Sequence, residues 1–365
     1  MDNYKVKIGI SVGDIHGIGI EIIINALTKS DLLNKCTPVV FCSHEIFRDY
    51  LKLINVSDSA INFIDKSDLI LENKINVFQT EKFKHKIELG KPSKDAAYIA
   101  FKSLETSCVQ LKNQKIDVLV TAPIDKYQIR KSISNFIGHT EYLENQFEGK
   151  SLMVMLSEKM KIAFITGHIP LKKVSESINK EKIINKTIQL HYSLKRDFGI
   201  TKPKIAVLGL NPHAGENDML GVEESDVISP AILHLKTNEN ILADGPFSAD
   251  SFFTEEKLKK YDGIIAMYHD QGLIPFKGLS FSSGVNYTAG LNAIRTSPVH
   301  GVAYDISGKN NANSDSFTAA IVSACQTICT KIDDCSDLDA LMALWTVPES
   351  GNAPIDDWPT ASNTV

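Results

Sequence analysis

The sequence predicts an α/β protein, with two α/β domains around a mixed, largely parallel sheet. Two observations carry this. Short runs rich in Ile, Val, Leu, Met and Ala recur along the chain, nearly continuous rather than alternating. Strands covered on both faces by helices read this way. Longer stretches with a helical rhythm separate these runs, as in βαβ units. A length of 365 residues suits two domains with a sizeable core.

Taken in chain order, the apolar runs place strands at 6–12, 38–42, 116–122, 152–156, 161–166, 204–210 and 263–267. The helical patterns fall at 18–29, 94–113, 139–147, 180–198, 224–236, 314–331 and 337–344. Residues 58–86 are polar, charged and weakly patterned, and read as a peripheral excursion with short strands. Residues 348–365, rich in Pro, Asn, Asp, Ser and Thr, read as a fraying tail. No repeat or Gly/Ser linker divides the chain.

Charge excludes some partners. Lys and Arg number 39 against 44 Asp and Glu, for a formal net charge of -5. That balance gives no electrostatic reason to bind nucleic acid or an anionic membrane. No apolar run approaches the roughly 18 residues that span a bilayer. The N-terminus carries no signal-peptide h-region, so a soluble cytoplasmic protein is expected. The six cysteines show no Cys-x-x-Cys pair. Cys325 and Cys329, four apart on an expected helix, with Cys335 beyond, invite a soft-metal or redox reading. Reduced, partly buried thiols are the preferred one.

Three histidines concentrate the chemistry. His168, His213 and His269 each follow a buried-type strand by a few residues. In open α/β sheets ligands sit beyond the carboxyl ends of strands. Three imidazoles delivered there suit a divalent cation such as Zn, Co or Ni, with Asp250 or Asp270 as ligand or orienting carboxylate. A lone histidine at a strand end is ordinarily a surface or loop residue, and the parallel contexts leave the two readings balanced. His44, His85, His191 and His234 read as solvated.

Gly138-His139-Thr140-Glu141 opens a helix, where an anion or plain capping fits; alone, capping is the better reading. Gly13-Asp14-Ile15-His16-Gly17-Ile18-Gly19 follows the first strand but is neither a dinucleotide fingerprint nor a P-loop. Lys277, Asn286 and Arg295 stand in a Gly-rich stretch, and the two cations suit phosphate, although surface solvation is the usual fate of lone Lys and Arg. The loop His300-Gly301-Val302-Ala303-Tyr304-Asp305 offers an acidic residue that suits a ribose diol and repels a 2′-phosphate, or simply caps a turn.

Together these blocks resemble the 4-hydroxythreonine-4-phosphate dehydrogenase family of pyridoxal phosphate biosynthesis. The likeness runs from Lys7 to about Trp345. Its motifs are Gly13-Asp14-x-x-Gly17-Ile18-Gly19-x-Glu21, Thr121-Ala122-Pro123-Ile124-x-Lys126, Gly138-His139-Thr140-Glu141, His168-Ile169-Pro170-Leu171 and Leu210-Asn211-Pro212-His213-Ala214-Gly215-Glu216. They continue with Asp244-Gly245-Pro246-x-x-Ala249-Asp250, Ala266-Met267-Tyr268-His269-Asp270-Gln271-Gly272, Gly284-Val285-Asn286-x-Thr288-x-Gly290-Leu291 and Ile294-Arg295-Thr296-Ser297.

The resemblance implies an isopropylmalate-dehydrogenase-like fold. It implies one domain from 1–130 with 300–365, carrying the cofactor loop, and another from 131–299, carrying the metal and substrate residues and a dimer interface. Metal ligands (Zn, Mg or Co) fall on His168, His213 and His269, and substrate contacts on His139, Thr140, Lys277, Asn286 and Arg295. NAD falls on His300, Gly301 and Asp305. The active site of a homodimer lies at the subunit interface. Asp250 and Asp270 are acid/base or orienting candidates.

The implied reaction oxidises 4-phosphooxy-L-threonine with NAD, and loss of carbon dioxide then gives 3-amino-2-oxopropyl phosphate. A sister activity on 4-phospho-D-threonate or 4-phospho-D-erythronate is the first rival. A silent metal-binding or regulatory protein and a phosphate acyltransferase are the others. The chain departs from the family pattern at Val12, Ile15-His16, Asp125 and Gly167, none of them an implied metal or substrate residue.

Overall fold

The computed structural model describes residues 5–83 and 85–331. Its twelve strands are β1 (Val6–Ser11), β2 (Cys36–Cys42), β3 (Ile61–Ile64), β4 (Ile75–Gln79), β5 (Val118–Thr121) and β6 (Gly149–Leu156), then β7 (Lys161–Phe164), β8 (Lys204–Leu208), β9 (Leu242–Phe247), β10 (Gly263–Ala266), β11 (Val285–Leu291) and β12 (Arg295–Pro298). All lie in one sheet, ordered β3-β4-β2-β1-β5-β12-β11-β6-β7-β10-β8-β9.

The six strands from β3 to β12 are mutually parallel, as are the four from β7 to β9. Between them β12, β11, β6 and β7 pair antiparallel. Three reversals are an odd number, so the two parallel parts point opposite ways. The sheet is therefore mixed but mostly parallel, as the apolar runs require: β2 and β10 are buried along their whole length.

The helices are α1 (Gly19–Thr28), α2 (Leu32–Lys35), α3 (His44–Leu53), α4 (Lys94–Lys112), α5 (Lys126–Ser132) and α6 (His139–Gln146), then α7 (Val174–Ser177), α8 (Lys180–Arg196), α9 (Ser229–Thr237), α10 (Glu255–Lys260), α11 (His269–Ser280) and α12 (Asp315–Cys329). Short polar side chains start several of them. Ser93 accepts from the Asp95 and Ala96 amides, Asn179 from Lys182 and Asp125 from Gln128. A π-helical turn, Glu224–Ile228, precedes α9. Among the described residues no helix is long and apolar enough to cross a membrane.

The seven expected strands are present to within about three residues, and 58–86 contributes β3 and β4 at one edge. Pattern reading missed β9, β11 and β12. Arg295-Thr296-Ser297-Pro298 is buried throughout yet mostly polar, so no apolar run marks it. It also missed α11, whose Gly272, Pro275 and Gly278 disguise a helix. The expected 337–344 helix, the 348–365 tail and Cys335 lie outside the described residues.

Two expectations need correction. Cys36, Cys42, Cys108 and Cys325 are buried free thiols, but Cys329 is disulfide-bonded. His44 and His85 are not solvated, and His191 is half-buried with its Nδ1 out of reach of solvent. The His44 Nε2 lies 3.0 Å from both the Ile64 and Val77 carbonyls, and His85 stacks on His16. The charged sequence around each gave no hint of these partners, which come from other segments.

Candidate active site

The antiparallel centre of the sheet forms the floor of a cavity of about 780 Å³. Alternate residues of a strand share a face, and directly paired residues share it across strands. Met155 pairs with Asn286 and Asn286 with Ser297; Met153 pairs with Thr288 and Thr288 with Arg295. Of these, Met153, Met155, Asn286, Arg295 and Ser297 line the cavity. The walls come from the loops after β5, β7 and β12, from the start of α6, and from α11.

Arg295 is buried (3% exposed). Its guanidinium donates to Thr121 Oγ1 at 2.6 and 3.1 Å and to Thr288 Oγ1 at 3.2 Å, all neutral acceptors. Burial, only partly offset by Cys108 and by the Glu141 carboxylate across the cavity, pulls its pKa from the ordinary value down to about 9. A buried cation with no carboxylate bonded to it is costly, and an anionic ligand supplies one. His139 Nε2, Asn286 Oδ1 and His300 Nε2 are buried polar atoms with no protein partner, and all three residues line the same cavity. Buried polar groups normally pair, so orphans gathered at one place mark a ligand site.

Helix α11 carries His269, Leu273 and Lys277 on one face, four residues apart, and all three line the cavity. The helix lies close on β7 because Gly272 has no side chain: a Cβ there would come within 2.7 Å of Ile162 Cδ1 and of Phe164 Cε1. Gln271 fastens its start, accepting from the Met267 amide at 2.7 Å and donating to the Gly209 carbonyl at 2.6 Å. It thereby ties the end of β10 to the end of β8.

His168 and His269 meet, with ring centroids 5.3 Å apart. The Nδ1 of His269 is 2.6 Å from Asp270 Oδ1, which leaves Nε2 for a ligand. Burial, then Lys126 and His269, lower the His168 pKa and favour the neutral ring that metals require.

His213 is elsewhere. It is exposed, on a loop where His213, Ala214, Glu216, Asn217 and Asp218 all have φ between 43° and 68°. Left-handed backbone at five non-glycine residues is costly, and Glu224 holds it. Its carboxylate accepts from the Leu210 amide at 2.6 Å and the Asn211 amide at 2.7 Å. Asp250 is exposed too, bound by Ser248 Oγ at 2.6 Å; that bond and the nearby His213 lower its pKa. Among the described residues of one chain, no three His, Cys, Asp or Glu side chains are placed to hold a metal ion.

Residues 34–324 match the family model described as pyridoxal phosphate biosynthetic protein PdxA. The chain belongs to this family. It is 41% identical over 323 residues to a protein of Bacteroides thetaiotaomicron named 4-hydroxythreonine-4-phosphate dehydrogenase, covering 88% of each. It is 33% identical over 335 residues to a Clostridium botulinum protein provisionally named D-threonate 4-phosphate dehydrogenase, covering 89% of this chain and 97% of the other. The crystal structure of 4-hydroxythreonine-4-phosphate dehydrogenase from Klebsiella pneumoniae superposes with a TM-score of 0.78 at 32% identity, covering 88% of this chain and 98% of that one.

In this PdxA-family chain, His139, Thr140, His168, His269, Lys277, Asn286, Arg295, His300 and Gly301 of the expected site residues line one cavity. Asp270 joins through His269, whereas His213, Asp250 and Asp305 lie outside it. Sequence reasoning missed Lys126, Arg130, Lys186, Ser151 and Ser297, which also line it. Lys126 was visible in the Thr121–Lys126 motif. Lys186 was not, because its ammonium reaches the site through a 2.8 Å bond to the Phe164 carbonyl that only packing creates.

Proposed function

We propose that this chain is an NAD-dependent, divalent-metal-dependent dehydrogenase. It oxidises and decarboxylates 4-phosphooxy-L-threonine to 3-amino-2-oxopropyl phosphate, in the biosynthesis of pyridoxine 5′-phosphate. The observation that carries this reading is a buried guanidinium bonded to no carboxylate, in one cavity with orphaned polar atoms and a histidine pair. The substrate has two anions, and the cavity offers Arg295, Lys277, Lys126 and the start of α6 to hold them.

His168 and His269 would hold the cation, with Asp270 fixing the His269 tautomer. We assign the third ligand to His213 of a second copy, which makes the enzyme a homodimer with shared sites. His213 stands on an exposed, rigidly held loop beside Met219 (79% exposed), Leu220 and Val222, apolar side chains that a partner would cover. Asp250, close enough for His213 to lower its pKa, is assigned toward His213 the part that Asp270 plays toward His269. A divalent ion held there would supply Lewis acidity toward the alcohol, and bound NAD would supply the hydride acceptor.

His300, Gly301 and Asp305 are assigned to NAD. Their loop is anchored for it: Glu21 accepts from the Gly308 and Ala312 amides, and Ser307 Oγ donates to the Gly17 carbonyl at 2.9 Å. The test is NADH absorbance with 4-phosphooxy-L-threonine, with and without a chelator. NADH formation that the chelator abolishes and added metal restores is expected; none under any metal defeats the reading. The Clostridium relative favours a second reading, oxidation of 4-phospho-D-threonate, which the same assay with that substrate decides.

A further inference from the structure

Tyr304 sits at the middle of the 300–309 loop with its hydroxyl between two carboxylates. It is 2.9 Å from Asp14 Oδ2, on the turn after β1, and 3.1 Å from Asp125 Oδ2, at the start of α5. Each carboxylate is already committed at its other oxygen. Asp14 Oδ1 accepts from the His16 amide at 2.9 Å, and Asp125 Oδ1 from the Gln128 amide at 3.0 Å.

A phenol has one hydrogen to donate. With both carboxylates ionised, one of the two contacts is an unrelieved repulsion between an oxygen lone pair and a charged oxygen. Both contacts become hydrogen bonds when one carboxyl carries a proton and donates it to the phenol oxygen. Asp14 is the better holder: it is fully buried, and burial raises its pKa above the ordinary carboxylate value. Burial and the two carboxylates keep the Tyr304 phenol protonated.

We propose that Tyr304, Asp14 and Asp125 form a one-proton clasp that positions the 300–309 loop for its dinucleotide. The three are positioning residues; none lines the cavity. The clasp takes one proton from solvent as the loop docks. Its sign follows: docking is strongest at low pH and weakens as pH rises through the elevated Asp14 pKa. The groups facing the clasp are His16 on the β1–α1 turn and His85 on the segment that crosses that turn; Lys126, next to Asp125 on α5, lines the cavity instead. An amide at 125 donates its own hydrogen to the phenol and needs no shared proton, so Asp125→Asn keeps the clasp shut at every pH while leaving both histidines in place. Asparagine is also a good helix cap, so α5 is preserved.

The dinucleotide part rests on the reading of this loop as the NAD site, so the experiment has two readouts. Amide hydrogen exchange of residues 301–309, corrected for intrinsic rates, reports the loop itself. The KM for NAD, with kcat alongside, reports its use. Both are followed from about pH 4, near the ordinary carboxylate value, to about pH 9 in the wild type, Asp125→Asn and Tyr304→Phe.

The wild-type loop should lose protection as pH rises, and its KM for NAD should climb roughly fivefold, the worth of one neutral hydrogen bond, at constant kcat. Asp125→Asn should hold the low-pH behaviour throughout, and Tyr304→Phe the high-pH behaviour. Protection that is independent of pH and alike in all three proteins overturns the clasp. Protection that behaves as stated while KM for NAD stays flat upholds the clasp and removes NAD from this loop.

Discussion

Asp270 shows how one contact divides labour at the site. By engaging His269 Nδ1 at 2.6 Å it fixes the tautomer and turns Nε2 toward the cavity, where His168 stands. Asp270 is itself exposed, so its replacement should not disturb the core. Asp270→Asn is expected to weaken divalent-metal affinity by about 10–100-fold, measured by competition with a chromophoric chelator, at an unchanged melting temperature. Metal affinity equal to the wild type would strip Asp270 of that role. At this scale the sequence was informative where chemistry is carried by residue type after a strand end, as with His168 and His269. It offered Arg295 as an anion-binding candidate but was silent on its burial, since nothing local says whether an arginine is solvated or buried beside Thr121, 174 residues away.

Helix α11 delivers His269 and Lys277 as a unit, so its seating decides the geometry of both. Gly272→Ala would drive a methyl into Ile162 and Phe164. It is expected to cost about 1–3 kcal/mol of stability and to lower metal affinity and turnover together, as read by urea unfolding and activity on the same preparation. Lost stability with intact turnover would show that the helix tolerates the shift.

The end of α8 offers a pH-dependent counterpart. Asp197 is buried and bound by Arg196 at 2.7 Å, by Lys331 at 2.9 Å and by the Ser193 hydroxyl. Burial opposes its ionisation, but Arg196, Ser193 and Lys331 outweigh that and hold its carboxyl below the ordinary value. A depressed carboxyl stabilises the fold above the unfolded-state pKa, and the gain is lost as pH falls through the folded one. Asp197→Asn should cost about 2 kcal/mol near pH 7, because half-exposed Arg196 stays solvated, and the deficit should close toward about pH 3. Equal deficits in urea unfolding at both pH values would mean that charge is not what Asp197 contributes. The strands and most long helices around these features were legible because their apolar periodicity is local. α11 was not, because its glycines and proline serve close packing rather than helix propensity.

For the whole molecule, the parallel pairing of β7, β10 and β8 matters most. It sends the three strands one way, so their carboxyl ends and the segments bearing His168, His213 and His269 leave from a common edge. Yet only His168 and His269 join the cavity. If His213 serves the partner's site, mixing His168→Ala with His213→Ala dimers should recover activity. Heterodimers form in half of a random mixture, and each has one complete site, so about one quarter of wild-type activity is expected after subunit exchange. No recovery in verified heterodimers would place all three ligands in one chain.

The sequence by itself determined the α/β class, most strands of the sheet and the residue types of the site, because each of these is written in short windows of chain. Tertiary structure alone decided that a polar four-residue strand would be buried beside β5, that a lone arginine would lose its water, and that Tyr304 would come between two aspartates from distant turns. Those outcomes depend on which segments meet across the sheet. Burial and pairing, unlike periodicity, are properties of the neighbours and not of the residue.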